Sequence, residues 1–131
     1  MLKFQMKEKG MRTELGFGTL DVSGDELYGY RPFQLMVASI AGCSGSVFMK
    51  IMDKQRLEIE DLTITADVER NALNANSIEK ITLHYIVKGY RLDPDKLQRN
   101  LELSRKNCSM IRSVENSIDI QERLELIQLN R

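Results

Sequence analysis

Cys43, Cys108 and the single histidine, His84, are the side chains of this 131-residue sequence best suited to nucleophilic or redox chemistry. A thiolate can attack the O–O bond of a peroxide, become a sulfenic acid, and condense with a second thiol to a disulfide. That requires one thiol held ionised by a neighbouring cation and a resolving thiol within reach. A serine triad would have to use His84, and no Ser/Asp or metal-ligand spacing surrounds it. The string Gly42-Cys43-Ser44-Gly45-Ser46 is not a nucleophile elbow, because no serine in it has glycines two places before and two after. One His and two Cys fall short of a four-ligand Cys/His zinc site, although carboxylates could complete a mixed one. Gly16 and Gly18 form half of a dinucleotide fingerprint, but the third glycine and the following helix are missing, which suits a turn or bulge and names no cofactor. Against the redox option stands the ordinary role of cysteine as a small buried hydrophobe.

Composition limits the partners. Nineteen basic and 19 acidic side chains cancel, which argues against a general nucleic-acid binder. A sequence pI near 6.6 gives no reason to expect an anionic membrane surface. Hydrophobic residues at 42% with 29% charged describe a globular chain, here read as a single domain over 1–131. Residues 1–10 carry Lys3, Lys7, Glu8 and Lys9 without an apolar stretch and do not read as a signal peptide. Two cysteines in an unexported chain suggest reduced thiols in a cytoplasm, or a redox pair.

Several elements must position these thiols. Residues 2–22 predict two or three short strands, with turns at Lys9-Gly10 and around Gly16 and Gly18. Pro32 opens a helix over Phe33–Met52 that is apolar around its whole circumference. Such a helix is either a membrane span or the buried centre of a fold. Gln34, Ser39, Ser44, Ser46 and Lys50 interrupt it, which favours burial, and a second subunit is a natural cover. Gly42 and Gly45 each cost about 1 kcal/mol of helix propensity relative to alanine, to be offset by close backbone approach or by substrate access to Cys43. Leu62–Val68 and Ile81–Val87 alternate with period two and form an antiparallel hairpin around a loop at 71–77, with His84 on the more polar face. Asp93-Pro94 begins a second helix whose stripe Leu97, Leu101, Cys108 faces inward. Ile118, Ile120, Leu124 and Leu126 mark a last strand. The class is α+β.

The run Pro32-Phe33-Gln34-Leu35-Met36-Val37-Ala38-Ser39-Ile40-Ala41-Gly42-Cys43 resembles the central-helix motif of the OsmC/Ohr family (osmotically inducible protein C and organic hydroperoxide resistance proteins), in its less characterised OsmC-like branch. Ile81–Gly89 resembles the family's long strand ending in glycine. Arg91–Cys108 resembles its second helix, and residues 109–120 the approach to its last strand. The resemblance spans roughly residues 30 to 127. It implies an intertwined α+β homodimer with the long apolar helices at its centre and the sites at the subunit interface. It also implies reduction of organic hydroperoxides, with Cys43 as attacking thiolate, Cys108 as resolving thiol, and a small dithiol such as dihydrolipoamide as reductant. Where characterised hydroperoxide reductases carry a glutamate one place after the proline, and many relatives two places after, this sequence has Phe33 and Gln34. That glutamate orients an arginine from the N-terminal region, for which Arg12 is the candidate here. Gln34 can hydrogen-bond an arginine, without a charge-assisted pair. The missing carboxylate motivates an alternative: a dimer that kept the fold but acts as a stress-associated binding protein, its pocket lined by Met36 and Phe48 around a small apolar ligand.

Overall fold

The computed structural model describes residues 1–130. It forms two compact units, residues 1–38 and 39–131, with one helix contributing to both.

In the first unit β1 (Phe4–Lys7), β2 (Gly10–Glu14) and β3 (Thr19–Val22) form an antiparallel sheet in sequence order. Three strands form, at the upper end of the expected two or three. Gly10 enters β2 with φ +132°, and a Cβ there would run into the Val22 carbonyl oxygen, so glycine is required. Gly16 and Gly18 lie in the β2–β3 turn, which is closed by the Leu15 N–H donating to the Gly18 carbonyl at 2.9 Å. They hold a chain reversal, not a phosphate loop.

The second unit packs helices against a three-stranded sheet in the order β4 (Glu58–Asn71), β5 (Ser77–Tyr90), β6 (Asp119–Gln128). β4 and β5 are the expected antiparallel hairpin, longer at both ends than the apolar alternation alone marks. β6 runs parallel to β5, which demands a long crossover. The crossover is residues 91–118, the segment that carries Cys108. Along β5 the side chains Ile81, Leu83, Tyr85 and Val87 are fully buried, while His84 lies on the opposite face with its Nε2 3.0 Å from Asp67.

Helix α1 (Pro32–Lys54) starts at its proline as expected. A single chain buries only one stripe of it: Ile40, Ser44, Gly45, Phe48 and Met52. Phe48 meets Tyr85 edge-on at 5.2 Å between ring centroids, and Gly45 lets the helix approach the tip of Ile64. Around the rest of the wheel Phe33, Leu35, Val37, Val47 and Ile51 are half-buried, while Met36 is exposed and Met49 is 59% exposed. By length and composition alone α1 could cross a membrane.

Helix α2 (Pro94–Asn107) has Asp93 as N-cap, its carboxylate accepting from the Asp95 N–H, and Pro94 in the first turn. It buries Leu97, Asn100, Leu101 and Ser104. The Asn100 and Gln55 side-chain amides bond reciprocally at 2.9 and 2.7 Å and tie α2 to the end of α1. A further short helix, α3 (Ser109–Val114), occupies the segment expected to lead straight into the last strand. Six residues carry too few apolar positions to show a helical period.

Candidate active site

Cys43 and Cys108 lie 65 positions apart in sequence, and the second unit brings them together. Cys43 stands one residue before the buried stripe of α1 resumes at Ser44, so its side chain is half-buried at the rim of the helix–sheet contact. Cys108 is wholly buried. It ends α2 and caps α3, with its Sγ accepting from the Ile111 N–H at 3.5 Å. The inward stripe of α2 thus delivers it where the sequence pattern pointed.

The two thiols have opposite tendencies. Hydrogen bonds hold the Cys43 thiol below its ordinary pKa, first from the Met110 backbone N–H, then from the Cys108 thiol, then from the Ser109 hydroxyl and N–H. The Ser109 Oγ is 3.8 Å from the Cys43 Sγ. Burial raises the Cys108 thiol, and the adjacent Cys43 raises it further. Cys43 is therefore the more readily ionised of the two sulfurs, the order an attacking and a resolving cysteine need.

Beneath the pair lies a buried polar network. The Ser44 hydroxyl meets the Tyr85 hydroxyl, and Ser44 Oγ donates to Glu122 Oε2 at 3.3 Å. Glu122 is 6% exposed, with Arg105 Nη1 3.6 Å from its Oε1; the same Nη1 donates to the Ile120 carbonyl at 2.7 Å. Burial pushes the Glu122 carboxyl up against the opposing pull of Arg105 and Ser44. Burial likewise raises Tyr85, and negative charge on Glu122, Cys108 or Cys43 adds to that rise.

Ser44, Tyr85, Glu122 and Ser109 were not among the residues picked from the sequence. Glu122 had a signal: it sits on the inward phase of β6, between Ile120 and Leu124, where the alternation calls for an apolar residue. Ser44 likewise interrupts the stripe Ile40, Phe48, Met52. Ser109 had none, because its role depends on α3.

Of the proposed orienting pair, Gln34 lies exposed on the first turn of α1. Arg12 is bound to Asp21 through two hydrogen bonds, Nε to Oδ1 at 2.7 Å and Nη2 to Oδ2 at 2.9 Å. Arg12 and the nearby Lys7 hold the Asp21 carboxyl down at about 2. A cavity of about 600 Å³ opens on the second unit beside Phe48, Met52, Leu57, Leu62 and Val87. Among the described residues there is no cluster of three or more His, Cys, Asp or Glu able to hold a metal.

An α+β chain that pairs two thiols across a central helix and a crossover helix defines a recognisable class. The family model for OsmC-like protein matches residues 23–123. Protein YhfA of Escherichia coli K12 is 27% identical over 97 residues, covering 73% of this chain and 72% of its own. A hypothetical protein from Aquifex aeolicus VF5 has the same fold, with a TM-score of 0.87 at 21% identity over 99% of this chain and 97% of its own. So has a structure from Legionella pneumophila described as an organic hydroperoxide resistance protein OsmC, with a TM-score of 0.74 at 18% identity over 95% of each chain. The chain belongs to the OsmC-like protein family.

Proposed function

We propose that this protein is a thiol peroxidase that reduces organic hydroperoxides through Cys43 and Cys108. The observation that carries the proposal is the adjacent sulfur pair with opposite ionisation tendencies, Cys43 lowered and Cys108 raised. The Cys43 thiolate attacks the outer peroxide oxygen; the S–O bond forms, the O–O bond breaks, and an alkoxide leaves to become the alcohol. The Cys43 sulfenic acid then condenses with the Cys108 thiol, releasing water and leaving a disulfide. A small dithiol reduces that disulfide by exchange, itself becoming oxidised. A reducing cytoplasm suits two cysteines that work as free thiols. The exposed Met36 and Met49 and the half-buried apolar residues beside them on α1 support a homodimer built on that helix.

The test is to treat the reduced protein with one equivalent of cumene hydroperoxide and map its peptides by mass spectrometry, after confirming by light scattering a particle of twice the 15.1 kDa chain mass. A Cys43–Cys108 disulfide, absent from Cys43→Ser, is the expected result. Peroxide loss no faster than with Cys43→Ser, and no disulfide, sinks the peroxidase. The second reading, a binding protein for a small apolar ligand, is favoured by the cavity beside Phe48. That outcome would pair inert cysteines with ligand-dependent thermal stabilisation, which Phe48→Ala would abolish.

A further inference from the structure

Ser109 is exposed, yet its backbone is held on both sides. Cys108 closes the first turn of α3 around it by accepting from the Ile111 N–H, and the Ser113 hydroxyl donates to the Ser109 carbonyl at 2.7 Å. Its own hydroxyl is thereby presented to the sulfur of the half-buried Cys43 at 3.8 Å. A thiolate has no proton to give, so once Cys43 ionises the hydroxyl of this pair is the donor.

We propose that Ser109 is a catalytic residue: its hydroxyl donates to the Cys43 thiolate and then protonates the alkoxide that leaves when the peroxide O–O bond breaks. The proposal rests on the peroxidase assignment above. In atoms, the Cys43 sulfur takes the outer OH of ROOH as S–OH, the O–O bonding pair departs on RO⁻, RO⁻ takes the Ser109 proton to become ROH, and Ser109 recovers a proton from water. The transfer is downhill, because a tertiary alkoxide is the stronger base. The position suits it, since the exposed Ser109 Oγ stands 3.8 Å from the sulfur at which the peroxide bond breaks.

Two probes with different leaving groups test this. Iodoacetamide needs no proton for its departing iodide, whereas cumene hydroperoxide needs one for its alkoxide. The rate at Cys43 is followed across pH by peptide mass spectrometry in the wild type, Ser109→Ala and Ser109→Thr. Losing the donor should raise the Ser109→Ala alkylation midpoint by about one pH unit, cutting the thiolate at neutral pH about tenfold. The more basic thiolate is intrinsically about threefold more nucleophilic. Alkylation should then be about threefold slower at pH 7 and about threefold faster once Cys43 is fully ionised, so the two profiles cross. Reaction with cumene hydroperoxide should stay slower in Ser109→Ala even at that high pH, and Ser109→Thr should restore both profiles.

Superimposed alkylation profiles, a uniform loss of rate without a midpoint shift, or a threonine variant that behaves like alanine would each overturn the role. So would a Ser109→Ala peroxide rate that overtakes the wild type at high pH as its alkylation rate does. Alkylation involves no peroxide. A wild type inert to hydroperoxide would therefore sink the peroxidase, and with it the proton transfer, while the crossing profiles would still decide the hydrogen bond to the thiolate.

Discussion

At the residue scale, the site asks buried polar groups to satisfy one another. Tyr85 and Ser44 are both fully buried, and their hydroxyls meet; Glu122 accepts a hydrogen bond from the Ser44 hydroxyl. If Tyr85 donates to Ser44 and Ser44 donates to Glu122, every hydroxyl hydrogen has an acceptor, and the carboxylate ends the chain. Ser44→Ala breaks that order and strands the Tyr85 hydroxyl in the core, at an expected cost of about 1–3 kcal/mol. In a Tyr85→Phe background there is no hydroxyl left to strand, so the same change should cost clearly less. Urea denaturation of the two single variants and the double variant measures the difference; equal penalties in both backgrounds would refute the coupling.

At the element scale, two glycines, Gly89 in β5 and Gly45 in α1, have different duties. A Cβ at Gly89 would strike the Glu58 carbonyl oxygen, where β4 and β5 are held in register beside an irregularity at Ile59–Asp61, and it would also press on Leu92. Backbone must move to admit it, and Gly89→Ala should cost about 2 kcal/mol or more. A Cβ at Gly45 meets only the tip of Ile64, at 2.8 Å. That tip can turn aside, and alanine returns about 1 kcal/mol of helix propensity, so Gly45→Ala should be near neutral. Thermal melts of the two variants decide it, and a Gly45→Ala loss equal to that of Gly89→Ala would mean α1 sits as rigidly on the sheet as β4 sits on β5. The contrast also marks how far sequence reaches. Pro32, Asp93-Pro94 and the alternation of β5 announce their elements because capping and periodicity are local properties. The parallel pairing of β6 with β5 and the existence of α3 depend on a 28-residue crossover finding its return path, which no local pattern encodes. The thiols were legible as residue types on inward faces; their surroundings on α3 and β6 were not.

At the scale of the whole molecule, the thiol pair joins the middle of α1 to the α2–α3 junction, so a Cys43–Cys108 disulfide would close a loop of 66 residues, about half the chain. Restricting so long a loop in the unfolded chain is worth about 4 kcal/mol when the folded geometry accepts the bond without strain. The peroxide-oxidised protein should therefore melt well above the reduced protein, and a dithiol should return it to the lower temperature. Scanning calorimetry with Cys43→Ser as the control measures this, and a melting temperature indifferent to oxidation would show that the bond is strained or unformed. The cross-link also weakens an acceptor that serves elsewhere. The Cys108 sulfur is the acceptor that closes the first turn of α3, and a disulfide sulfur accepts a hydrogen bond poorly. Each oxidation then fastens α1 to the α2–α3 junction while loosening one small helix at the surface, so that the 109–114 segment becomes a dial on which the oxidation state inside can be read from outside, through the exchange rate of the Ile111 amide.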